Sequence, residues 1–229
     1  IISGEFSTSY LHHPIAPRHI ATDLPNAKII IFLRNPIERA YSHFVMQHRA
    51  GMEFSTFETI VENEMKELPA VLNLFRSCFN QESCLTENCL QDPITIYKHR
   101  QDRGPKLLET TKQLKQFMFT SYLSRSIYID QVERYFALFP RENILIVQSE
   151  HFYENGQSVL DDIADFLEIP RFDYASTGVL KNSWGGGASN SHDPHDYNDM
   201  HPDTRETLRL FFEPYNQKLY SLIGTSFEW

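Results

Sequence analysis

Nowhere in the 229 residues does an apolar run come near the roughly 20 positions that a membrane-crossing helix requires. The first residues also lack the charged n-region and apolar h-region of a signal peptide. Basic residues are in short supply, 21 Lys and Arg against 30 Asp and Glu, and the net charge of −9 leaves no overall electrostatic footprint for nucleic acid. Any anion must therefore be held locally. Low-complexity tracts and internal repeats are absent, which excludes disordered and solenoid architectures. The pattern G-x-x-x-x-G-K-[ST] is missing too, so the chain is not an ordinary nucleoside triphosphatase. No Asn-x-Ser/Thr sequon occurs, which bears neither way on the compartment. Cysteine is scarce: Cys78, Cys84 and Cys89 share one 12-residue window that reads as a polar surface loop. One disulfide and an odd thiol would suit an oxidising compartment; a zinc site is disfavoured because the window has no Cys-x-x-Cys and no nearby histidine.

What is present is an ordinary core-forming composition, 41% hydrophobic and 13% aromatic, which fits one domain over residues 1–229. The chain opens on strand-like sequence, "ISGEFSTSYL", without a methionine, and further sequence upstream is expected. "HPIAPRHIATDLP" reads as a short proline-bracketed helix, and "KIIIFL" as a strand buried on both faces. "NPIERAYSHFVMQHRAG" supplies an N-cap at Asn35, a first-turn proline at Pro36 and a stop at Gly51. An amphipathic helix over "EFSTFETIVENEMKEL" leads into a long irregular excursion. Further on, "SYLSRSIYIDQVERYFALFP" reads as a helix ending at Pro140, "RENILIVQSEHF" as holding a second buried strand from Ile144 to Val147, and "SVLDDIADFLEIP" as an apolar-faced helix. A final helix enters at Pro202, Asp203 and Thr204, with Pro214 predicted to kink it. Alternating strands and helices predict an α/β fold whose central parallel sheet is flanked by helices, with ligands at the carboxyl ends of the strands.

Arg34 stands at such an end, immediately before a helix N-terminus. A cation beside backbone N–H groups and the positive end of a helix dipole makes a site for a dianionic phosphate. Ser42, two turns into the helix, can add a hydroxyl to the same anion. Spacing alone leaves a plainer reading open, an arginine paired with a carboxylate and a serine on a helix back.

"LRNPIERAYSHF" resembles the 3′-phosphate-binding motif of sulfotransferases that use 3′-phosphoadenosine 5′-phosphosulfate, in which Arg-x-Pro is followed by a serine eight residues after the arginine. Arg34, Pro36 and Ser42 match it. "GEFSTSYL" is similar to a segment of heparan sulfate N- and 3-O-sulfotransferases at Glu5 and Tyr10. "SIYIDQVERYFALFPRENILIVQSEHF" and "LRLFFEPYNQKLYSLIGTSFEW" resemble two later segments of those enzymes in the same order. The resemblance implies a P-loop-NTPase-like three-layer fold and transfer of a sulfuryl group from that donor to a hydroxyl or amine, most simply of a carbohydrate. Adenosine 3′,5′-bisphosphate would be the product. It implies Arg34 and Ser42 on the donor's 3′-phosphate, Tyr128 facing the donor and acceptor cleft, and a loop around Lys181, Gly185 and Gly186 closing over the phosphate. By the same analogy the protein would sit in the Golgi lumen behind an anchor outside this chain, or in the cytoplasm if bacterial.

Several positions depart from that pattern. The Gly-rich lysine loop and the catalytic base of the family fall upstream of Ile1, so a non-catalytic nucleotide-binding or interaction domain is the alternative function. Phe6 replaces a lysine of the heparan enzymes, and Glu5 is a weak candidate base. No Lys-Gly-Arg element accompanies Lys181. Between Lys98 and Arg125 seven basic residues face two acidic ones, a stretch able to steer a polyanion or simply a solvated face. His192, His195 and His201 lie among carboxylates, with surface histidines favoured over metal ligands.

Overall fold

A computed structural model describes residues 3–80, 121–177 and 200–229. Helix α1 spans Ala16–Asp23 with Pro17 in its first turn. Strand β1, Ile29–Leu33, leads into α2, Pro36–Arg49, whose Pro36 lies in the first turn. Gly51 follows α2 at φ +67, a left-handed conformation that glycine adopts at little cost. Helix α3 covers Phe57–Asn80. A 3₁₀ turn at Ser124–Ser126 introduces α4, Tyr128–Phe136. Strand β2, Ile144–Gln148, passes directly into α5, Ser149–Glu154, followed by α6, Gly156–Leu167, and α7, Pro202–Ile223.

Among the described residues the sheet has two strands, β1 and β2, paired in parallel with Ile29 opposite Ile144 and Leu33 opposite Gln148. Side chains alternate between faces along a strand. Ile31, Leu33 and Ile144 enter the larger core with α2, α3, α4 and α7, built around Tyr41, Phe44, Tyr122, Val132, Leu208 and Phe212. Ile30, Leu145 and Val147 point the other way, onto Phe152 of α5 and Val159, Leu160 and Ile163 of α6. Helices thus cover both faces, as the βα alternation predicts. The second face is thinner than expected: Leu33 is 0% exposed but Phe32 is 41% exposed, packed edge-on against Phe152 at 5.5 Å.

Two local expectations are corrected. "GEFSTSYL" forms bends and turns instead of a strand. The Ser7 hydroxyl accepts the Ser9 N–H at 3.2 Å and the Tyr10 hydroxyl donates to Glu5 at 2.5 Å, local bonds that compete with a ladder. Helix α3 runs through Pro69 to Asn80, so Cys78 belongs to a helix end and not to a loop. Buried Leu68 and Leu72 on either side of Pro69 hold the helix against the core despite the lost backbone bond. The second strand, expected over Ile144 to Val147, runs Ile144–Gln148, and Ser149 begins a helix directly after it. Pro214 lies inside one continuous helical segment. The side chain of Cys78 and all of Cys84 and Cys89 lie outside the described residues, as does the basic stretch up to Lys115.

Candidate functional site

The parallel register decides what meets at the sheet's carboxyl edge. Because Leu33 pairs with Gln148, the chain leaves both strands side by side. From β1 it delivers Arg34 and Asn35, and from β2 it delivers Ser149 and Glu150. Leu33, fully buried, anchors the first exit from below, while Arg34 itself is half-buried and reaches solvent.

The peptide joining Arg34 to Asn35 is gripped at both ends. Its carbonyl accepts a hydrogen bond from the Tyr128 hydroxyl at 3.0 Å, and its N–H donates to Oε1 of Glu150 at 2.7 Å. Burial pushes the Tyr128 hydroxyl up to about 12, against the opposing pull of the Arg39 guanidinium, so it stays protonated and donates. Tyr128 is 5% exposed and packs on Trp229 at a ring separation of 5.9 Å. The Trp229 indole N–H in turn donates to Oε2 of Glu150 at 3.4 Å.

Helix α2 begins with its donors already used. Pro36 has no N–H, Oδ1 of Asn35 accepts from Ile37 at 3.0 Å and from Glu38 at 3.3 Å, and the Arg39 N–H bonds to the Asn35 carbonyl at 2.8 Å. The backbone N–H groups expected to face an anion are therefore occupied by the cap. What this edge offers an anion is side-chain chemistry, the Arg34 guanidinium and the Ser42 hydroxyl, in the positive end of the α2 dipole. Ser42 is half-exposed between buried Tyr41 and His43.

Behind this rim lies a second set of polar groups. Nη1 of Arg39 donates to the Tyr122 carbonyl at 3.1 Å, and the Glu64 carboxylate of α3 accepts the N–H groups of Tyr122, Leu123 and Ser124, each at 2.9 Å. Burial raises Glu64, although those three bonds favour its charged form. Burial also lowers Arg39, and burial followed by the Arg39 charge lowers Arg125 to about 10. His43, 9% exposed, is held down to about 3 by burial and then by Arg39 and Arg125; His12 is lowered by burial and the same cations with Arg134. Both imidazoles are neutral at ordinary pH. Nη2 of Arg134 ties this layer to the amino-terminal segment through the carbonyls of Leu11 and His12, at 3.3 and 3.1 Å.

Arg34 and Tyr128 thus meet at one end of the sheet and Ser42 follows on the helix after Arg34, whereas Glu5 lies in the amino-terminal segment beside an 85% exposed Phe6. Lys181, Gly185, Gly186, His192 and His195 lie outside the described residues. His201 caps α7, its Nδ1 accepting from the Asp203 N–H at 3.3 Å. Among the described residues no three His, Cys, Asp or Glu side chains gather as metal ligands. Sequence reasoning missed Glu150 and Glu64. Glu150 carried a usable signal, since it follows the second buried strand much as Arg34 follows the first; Glu64 carried none, being one acid among several on an amphipathic helix.

The family model described as "Sulfotransferase domain" matches residues 5–193. The chain is 26% identical over 264 aligned residues to the membrane-associated sulfotransferase kil1 of Dictyostelium discoideum, covering 99% of this chain and 53% of that protein. It is 23% identical to carbohydrate sulfotransferase 15 of Homo sapiens, covering 90% of this chain and 31% of that one. It is also 23% identical to bifunctional heparan sulfate N-deacetylase/N-sulfotransferase 3 of Mus musculus, covering 96% and 22%. The chain therefore spans about half of the first of these relatives and less of the others. A sulfotransferase from Alicyclobacillus acidocaldarius superposes with a TM-score of 0.60 over 96% of this chain and 64% of that one, at 22% identity, which shows the P-loop-like fold. With the family model covering most of its length, the chain belongs to the sulfotransferase domain family.

Proposed function

We propose that the protein transfers a sulfuryl group from 3′-phosphoadenosine 5′-phosphosulfate to a hydroxyl or amine of a carbohydrate, with Arg34 and Ser42 holding the donor's 3′-phosphate. One observation carries the reading: a half-exposed arginine on a braced turn at the carboxyl edge of a parallel sheet, with a half-exposed serine two turns along the helix that follows. The axial rise from Asn35 to Ser42 is about 10 Å, a span that an arginine side chain and a phosphate bridge together. Tyr128 serves the same end of the site, and Lys181, Gly185 and Gly186 are further donor-binding residues of this reading. In the reaction, an acceptor oxygen or nitrogen forms the new bond to sulfur as the bond from sulfur to the 5′-phosphate oxygen breaks. The acceptor's proton passes to a base, and adenosine 3′,5′-bisphosphate leaves. The names of the carbohydrate and heparan sulfate relatives support a sugar acceptor.

Titration calorimetry on the full-length protein tests the donor assignment. Arg34→Ala is expected to weaken adenosine 3′,5′-bisphosphate by at least about tenfold, the loss of a charge-assisted phosphate contact. Adenosine 5′-monophosphate, which has no 3′-phosphate, should bind nearly as before. Equal losses for both ligands would overturn the assignment. Transfer of labelled sulfate from the donor to a heparan sulfate or other polysaccharide acceptor separates an enzyme from a domain that only binds the nucleotide.

A further inference from the structure

We propose that Glu150 is a positioning residue for the anion-binding turn, fixing the direction in which Arg34 projects without itself touching substrate. The proposal rests on the reading of Arg34 as the ligand of the 3′-phosphate.

A peptide unit is planar, so holding both its oxygen and its N–H fixes the plane and with it ψ of Arg34 and φ of Asn35. Tyr128 holds the oxygen and Glu150 holds the N–H. Glu150 is itself held, because its second oxygen accepts from the Trp229 indole and it sits in the first turn of α5, directly after β2. Trp229 is fixed in turn among Tyr128, Tyr220 and Phe227, at ring separations of 5.9, 6.0 and 4.8 Å. The turn is thus tied to the second strand and to the chain's last residue.

Simple electrostatics argues against a carboxylate at this place. A negative charge beside a phosphate site repels the phosphate. Glu150 bonds to the N–H of the residue next to Arg34, so as a charge it opposes the proposed function. As a geometric brace it serves that function. The two roles predict opposite signs when the side chain is removed, which makes the proposal testable without ambiguity.

Calorimetry on the full-length protein is run with adenosine 3′,5′-bisphosphate and with adenosine 5′-monophosphate, alongside thermal unfolding of each variant. Glu150→Ala is expected to weaken the bisphosphate about 5- to 10-fold, the effect of losing one strong hydrogen bond that orders the turn, and to leave the monophosphate within about twofold. Glu150→Gln keeps an acceptor for the Asn35 N–H, removes the charge and gives up the acceptor for the Trp229 indole N–H, so it should bind the bisphosphate within about twofold of the unaltered protein. Trp229→Phe keeps the ring and removes the indole donor, and should cost about twofold; it and the glutamine variant carry the test if the alanine variant unfolds. Tighter binding by Glu150→Ala, or equal weakening by the alanine and glutamine variants, would overturn the proposal. If Arg34→Ala leaves discrimination between the two nucleotides intact, the donor reading falls and takes the proposal with it. If Arg34→Ala abolishes discrimination while Glu150→Ala keeps it, the brace alone falls.

Discussion

The chain leaves β1 and β2 at the same height, yet through different constructions. After β1 it inserts Arg34 and Asn35 before a 14-residue helix, and Asn35 satisfies the first free N–H groups of that helix. After β2 it enters a six-residue helix directly from Gln148, with no side-chain cap. The first exit presents a cation on an irregular residue, whose backbone must be fixed from outside. The second presents a carboxylate whose position follows from the helix it starts. On the proposed reading one exit meets an anion and the other holds the first in place; a ladder of five residue pairs keeps them adjacent.

The largest effect that separates the exits lies beneath them. Leu33 is fully buried and its register partner Gln148 is partly exposed. Leu33→Ala should cost about 2–5 kcal/mol in urea unfolding, from lost transfer energy and the cavity left behind. Gln148→Ala should stay within about 0.5 kcal/mol. Comparable losses at the two positions would mean that the β1 exit is not the more deeply anchored one.

Acid should act on the first exit through its helix. His43 on α2 has its folded value held near 3, while an unfolded histidine binds a proton near 6.5. As pH falls through that window the unfolded chain takes up the proton and the folded chain does not, so stability decreases, by up to about 1.4 kcal/mol per pH unit for this one group. It is fully present above the unfolded value and lost towards the folded one. His12, lowered for the same reasons, adds in the same direction. His43→Gln should flatten the acid limb of a plot of unfolding free energy against pH between about 6.5 and 3. An unchanged limb would place the acid sensitivity elsewhere.

Much of this was legible in the sequence because it is written locally. The apolar runs 29–33 and 144–147, the Asn35-Pro36 start and the Gly51 stop each depend on neighbours in the chain, and Arg34 could be placed from the strand end alone. The brace was not legible, since it joins Asn35 to Glu150 across 115 positions and Glu150 to Trp229 across 79. Nor was the fate of the α2 N–H groups: a motif shows that a helix starts beside a cation, but only coordinates show that Asn35 has already taken the donors an anion would use. The amino-terminal segment misled for a related reason, because Ser7 and Glu5 satisfy their neighbours locally where a strand before a turn was expected.

The smallest expected effect sharpens the comparison most, because it separates stability from affinity at one residue. Asn35→Ala removes the acceptor for Ile37 and Glu38 and should cost about 1 kcal/mol in urea unfolding. Asn35→Asp restores an acceptor, now charged and favourably placed against the helix dipole, so stability should return to within a few tenths of a kcal/mol. The same carboxylate adds a negative charge beside Arg34, so adenosine 3′,5′-bisphosphate should bind the aspartate variant more weakly than the alanine one. If the two substitutions rank the same way in stability and in affinity, the anion is not held at this exit. Opposite ranking places the phosphate beside the cap while leaving the cap's own work to the helix.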